Sequence, residues 1–140
     1  MEPEGQETMA FSGAGLVPAR VLLAGDNPRT LAQWAQFLAG QGISASAVSW
    51  AELPEQLRGQ ETHVLVADCG PDLGRVLAQC QTLHGTYPGM RQALLAERQT
   101  REAFQAQQQG VFQCILEKPV SNRELLRAVE ALLGSGKKTG

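Results

Sequence analysis

Four short apolar runs and one weak, small-residue strand (Ile43–Val48), separated by stretches with helical spacing, limit this chain to a narrow set of folds. The runs are Val21–Ala24, His63–Ala67, Ala93–Leu95 and Val111–Leu116. Val21–Ala24 is continuously apolar, as expected of a central strand covered on both faces, and strands that alternate with helices build a parallel sheet with helices on both sides. The first helix is capped by Asn27 and opened by Pro28; Leu31, Trp34, Ala35 and Leu38 form its inner face, and Gly40 and Gly42 end it. Further helices are predicted over Ala51–Leu57, Leu73–Leu83 and Thr100–Gln109. The last follows the capping box Ser121-x-x-Glu124 and carries the stripe Leu125, Leu126, Val129, Leu132 and Leu133. Right-handed crossovers place the first strand centrally, with the winding reversing beside it.

A chain of 140 residues supports one domain, read here over residues 19–133 between a leader (1–18) and a flexible basic tail (134–140). A net charge of -2 gives no electrostatic reason for a nucleic-acid or anionic-membrane partner. No apolar run approaches the ~20 residues of a membrane span. The start, Met1-Glu2-Pro3-Glu4, is acidic where a secretory signal is basic. Cys69, Cys80 and Cys114 form no C-x-x-C pair, which favours a reducing, cytoplasmic setting. His63, Cys69, Cys80 and His84 follow no zinc-ligand spacing.

Charge is distributed selectively. Of three aspartates, Asp26 and Asp68 each follow an apolar run, while the other acids are eleven glutamates. Lys118 is the only lysine before the C-terminal tail and also closes an apolar run. In an open parallel sheet the binding crevice lies at the carboxyl ends of the strands, beside the switch in winding. All three charges fall on that edge.

Three segments carry a resemblance: Val21–Pro28 (VLLAGDNP), His63–Asp68 (HVLVAD) and Ile115–Pro119 (ILEKP). Asp26, Asp68 and Lys118 are separated by 42 and 50 residues. In order, spacing and placement the chain resembles the receiver domain of two-component response regulators over about Ala19–Leu133. The resemblance implies a flavodoxin-like (βα)5 doubly wound sheet of order 2-1-3-4-5. It implies that Asp68 accepts a phosphoryl group from a partner histidine kinase and that Lys118 pairs with a phosphoryl oxygen. Asp26, Asp68 and the backbone carbonyl of Gly70 correspond to the Mg²⁺ ligands, and the bond to Pro119 is expected to be cis. Phosphoryl transfer asks mainly for alignment and for cations against the equatorial oxygens, which these residue types supply.

Three positions depart from the family pattern. Gly25 stands where the first acid of a pair belongs, so Mg²⁺ binding is expected to be weak, and Gly25→Asp is expected to tighten it. Ala96, or Leu95 if the alignment slips by one, replaces the hydroxyl residue that contacts the phosphoryl group. Ile115 replaces the aromatic that moves with it. The segment after Asp68 is about two residues shorter than the family norm. The chain therefore reads as a degenerate receiver that is not an enzyme in the turnover sense and acts through protein–protein contacts.

The expected interaction surface comprises Phe104, Gln105, Gln108 and Phe112, with the two phenylalanines as anchors. A homodimer through the Thr100–Gln109 helix, the Val111–Leu116 strand and the final helix is a second possibility for that surface. The alternatives are a conventional phosphoacceptor and a small flavodoxin-like enzyme or nucleotide binder. The second is disfavoured because no strand-end loop is rich in Gly, Ser or Thr for holding phosphates.

Overall fold

The computed structural model describes residues 19–137. The leader and the last three residues of the tail lie outside the described residues. The elements alternate without exception: β1 (Arg20–Ala24), α1 (Pro28–Gly40), β2 (Ser44–Val48), α2 (Leu53–Gly59), β3 (Val64–Asp68), α3 (Leu73–Thr86), β4 (Arg91–Ala96), α4 (Arg101–Gln108), β5 (Cys114–Glu117) and α5 (Asn122–Lys137). The strands form one parallel sheet in the order β2-β1-β3-β4-β5. This is the flavodoxin-like arrangement expected from the sequence.

Side-chain alternation along the strands divides the core in two. Val21, Leu23, Val64, Val66, Ala93 and Leu95 face α1 and α5, meeting Leu31, Leu38, Leu125, Val129 and Leu132. Leu22, Ala24, Leu65, Ala67, Leu94 and Ala96 face the opposite way, toward α2, α3 and α4. The central strand β3 is buried along its whole length, whereas the edge strand β2 (SASAV) is largely exposed. Burial of one such leucine or valine is worth about 1.5–3 kcal/mol, so the apolar strand runs dominate the stability of the sheet.

The helix starts follow their local signals. Asn27 accepts the Thr30 N–H at 3.2 Å, and Ser121 and Glu124 exchange reciprocal bonds of 3.0 and 3.1 Å. A second capping box, Ser49 with Glu52, fixes the turn before α2, which starts two residues later than the sequence reading placed it.

The last strand is where the structure departs most from expectation. β5 begins at Cys114, and Val111 and Phe112 belong to the connection before it. Gly110, at φ 87, ends α4, and the Val111 N–H returns to the Ala106 carbonyl at 2.9 Å. Val111 and Phe112 then plug the core between α3, α4 and the sheet. A short apolar run reads the same in a buried connection as in a buried strand, and only tertiary context separates them. Gln92 holds the connection in place: its buried amide donates to the Cys80 and Val111 carbonyls at 3.0 and 3.1 Å. Its backbone makes two more bonds to Gln113: the Gln113 N–H donates to Gln92 O, and the Gln92 N–H donates to the Gln113 side-chain Oε1.

Candidate functional site

The strand ends bring the three sequence-selected charges to one edge. Asp68 is the last residue of β3, and its side chain is only 10% exposed. Lys118 follows β5, where its N–H donates to Ala96 O at 2.8 Å, while the Cys69 N–H donates to Leu95 O at 2.8 Å. With β3, β4 and β5 aligned in this way, the Lys118 ammonium reaches across β4 to Asp68. Its Nζ stands 2.8 Å from Asp68 Oδ1 and donates to the Cys69 carbonyl at 2.7 Å. The Lys118–Pro119 peptide is cis, as expected. Asp26 sits in the β1–α1 turn and is well exposed. Asp26, Trp34, Asp68, Gly70 and Lys118 line one crevice of about 370 Å³.

Gly25 is a position of close approach. A Cβ there would lie 3.0 Å from Asp68 Cβ and 3.3 Å from Asp68 Oδ2. The missing acid is therefore also missing bulk, and the end of β3 has settled against bare backbone. Gly25→Asp has to displace Asp68 before it can contribute a ligand, so the structure gives no support to the simple gain in affinity expected from the sequence. We expect Gly25→Ala to destabilise the fold by about 1–3 kcal/mol through overpacking. Thermal unfolding checks this; an unchanged midpoint would show that β3 yields freely.

The donor set suits a hard cation in kind. Asp26 and Asp68 offer carboxylates to the same crevice, and a Cβ built on Gly70 would lie 3.7 Å from Asp26 Oδ2, so the Gly70 backbone is close by. The charge is already partly balanced, since Asp68 faces Lys118 and Asp26 faces Arg75 at 3.9 Å. The Gly70 carbonyl also accepts a weak bond from the Cys69 thiol at 3.2 Å. Among the described residues no group of three or more His, Cys, Asp or Glu side chains is gathered for a metal. Sequence reasoning passed over Arg75; the signal available was its position three residues after the helix-capping Asp72.

The two positions expected to depart from the family pattern beside the site, Ala96 and Ile115, are aliphatic and share a face. Ala96 belongs to the core under α2, α3 and α4, and Ile115 packs against the same core, whereas Leu95 points to the opposite side of the sheet. Ala96 is thus the position beside the site on the α4 side. The link from β4 to α4 is tied to β5 by Glu117, whose carboxylate accepts the Gln99 N–H at 3.1 Å.

The expected docking surface is only partly assembled. Phe104 is 47% exposed, and Gln105 and Gln108 are exposed beside it on α4. Phe112 is 1% exposed and fills the core, so it cannot anchor a partner. Its placement as a surface anchor followed from assigning it to the last strand. Cys69 is buried, and desolvation, the largest influence, raises its thiol pKa. Cys80 is pushed up to about 12 by burial. Both thiols stay protonated at neutral pH, which argues against redox chemistry at the site.

No protein-family model and no curated protein sequence matches the chain. Solved structures do match. The response regulator receiver domain protein (CheY-like) of Methanospirillum hungatei JF-1 is similar with a TM-score of 0.78 at 20% identity, covering 89% of this chain and 100% of that one. A response regulator of Thermotoga maritima is similar with a TM-score of 0.73 at 14% identity, covering 84% and 99%. The beryllofluoride-activated NtrC4 receiver domain dimer is similar with a TM-score of 0.73 at 18% identity, covering 84% and 98%. The chain has the fold of response regulator receiver domains.

Proposed function

We propose that this chain is a receiver-like signalling module whose output surface is held independently of phosphorylation. One observation carries the reading: Asp68 and Lys118 keep an acceptor–ammonium geometry, at 2.8 Å, while the relay positions Ala96 and Ile115 have neither hydroxyl nor aromatic ring. A ligand shifts a conformational equilibrium only through contacts that differ between the two states. Without the relay, a phosphoryl group on Asp68 has little to pull on. The Glu117–Gln99 bond supports the same reading, because it fastens the β4–α4 link without any phosphoryl group.

If a phosphodonor engages, Asp68 Oδ2 is the nucleophile, since Oδ1 faces the ammonium, and Lys118 balances charge on the transferred group. Asp26, Asp68 and Gly70 would hold Mg²⁺, which supplies further charge neutralisation when bound. The exposed α4 face with Phe104, Gln105 and Gln108 is the proposed contact for a histidine kinase or another signalling protein, or for a second copy of the chain. The NtrC4 receiver forms a dimer. A cytoplasmic setting fits the free cysteines Cys69, Cys80 and Cys114; among the described residues no helix is long and apolar enough to cross a membrane.

The second reading, a conventional phosphoacceptor, draws on the same Asp68–Lys118 geometry. Intact mass after incubation with Mg²⁺ and acetyl phosphate tests the chemistry. Any added phosphoryl group is expected on Asp68 and is expected to vanish in Asp68→Asn. Incorporation that survives this change would move the chemistry elsewhere, first to Asp26.

A further inference from the structure

The link from Asp68 to α3 is four residues long, Cys69–Asp72, and its Gly70 and Pro71 line the crevice. Asp72 caps that helix by accepting the Arg75 N–H at 3.2 Å and also holds the Arg75 guanidinium, with Nε 3.4 Å from its Oδ2. The guanidinium is thereby turned toward the β1–α1 turn, where its other end lies 3.9 Å from Asp26 Oδ2. Asp26 is the one acid left by the Gly25 substitution, and it is the carboxylate a divalent ion would need most.

The geometry points to Arg75 as the resident cation of the site: its guanidinium neutralises Asp26, and a divalent ion entering the crevice competes with it. The inference rests on reading Asp26 and Asp68 as a cation-binding pair. It places the weakness of the Mg²⁺ site in a side chain as well as in a missing acid. A positive charge shared by two aspartates also lowers the demand for an external ion, because Lys118 and Arg75 already face Asp68 and Asp26 respectively. Both members of the Arg75–Asp26 pair are more than half exposed, so salt screens the interaction.

The test is a MgCl₂ titration of the wild-type chain, Arg75→Gln and Asp26→Asn, followed by backbone amide shifts of crevice residues and of the Trp34 indole. Arg75→Gln is expected to bind Mg²⁺ about three- to ten-fold tighter than wild type, through loss of a competing charge and of its repulsion. That ratio is expected to shrink toward one as NaCl rises from about 20 to about 500 mM. The melting temperature is expected to stay within about 2 °C, so that a change in Mg²⁺ affinity is not a change in folding. Asp26→Asn is expected to lose saturable binding. Equal affinity in wild type and Arg75→Gln, or no saturable binding in Arg75→Gln, overturns the role of Arg75. Binding that survives Asp26→Asn overturns the cation-pair reading as well. Neither result bears on whether the output surface responds to phosphorylation.

Discussion

Lys118→Met is expected to destabilise the fold by about 2–3 kcal/mol, because it leaves the Asp68 carboxylate charged and nearly buried without a partner. The pair is shielded on both sides, with side chains 10% and 23% exposed for Asp68 and Lys118. Removing the other partner is expected to matter less. In Asp68→Asn the lysine keeps its bond to the Cys69 carbonyl, and its long stem lets the ammonium turn to water, so about 1 kcal/mol is expected. The double variant Asp68→Asn with Lys118→Met is expected to recover most of the loss, since no ionised group then remains at that point. Thermal or urea unfolding of the four proteins checks the ordering. For a domain of this size the Lys118→Met loss corresponds to a midpoint lower by about 8–12 °C. Equal losses for the two single variants, with no recovery in the double, would show that the pair contributes packing and not charge balance.

The larger effect is expected at Phe112. Phe112→Ala removes a fully buried ring from the joint between α3, α4 and the sheet, and truncations of this kind lose about 3–5 kcal/mol through burial and cavity terms. The two hydrogen bonds between Gln92 and Gln113 limit how far the connection can collapse into the space, which argues for the upper part of that range. Phe104→Ala, eight residues earlier and 47% exposed, is expected to change stability by no more than about 0.5 kcal/mol while weakening whatever docks on α4. Unfolding curves of the two variants separate the residues cleanly. A stable Phe112→Ala protein would contradict the structure of the α4–β5 connection.

These two phenylalanines also mark how far the sequence could be read. The alternation of strands and helices, the helix caps at Asn27 and Ser121 and the convergence of Asp26, Asp68 and Lys118 were legible, because apolar periodicity and strand-end charge report directly on a parallel sheet and its carboxyl edge, while the full strand order came with the resemblance to receiver domains. Phe112 was misplaced because an apolar run carries no mark of whether it is extended or coiled. The assignment of Ala96 over Leu95 needed the faces of β4, since a shift of one residue moves a side chain to the other side of the sheet. The reach of Arg75 to Asp26 and the close approach of Gly25 to Asp68 were not legible, although the capping position of Asp72 and the glycine itself were. Both depend on the distance between elements far apart in the chain.

The claim that the aliphatic side chains of Ala96 and Ile115 leave a phosphoryl group at Asp68 no route to α4 is tested most directly with beryllofluoride. Backbone amide shifts are compared with and without this phosphoryl mimic, in the presence of Mg²⁺, at a concentration where the shifts of Asp68 and Lys118 have saturated. The predicted result is a set of changes confined to the crevice around Asp26, Asp68, Gly70 and Lys118, with Gln99, Phe104, Gln105, Gln108 and Ile115 unmoved. Large saturable changes spreading through Ala96 and Ile115 to Phe104 would contradict it and restore a conventional phosphorylation switch.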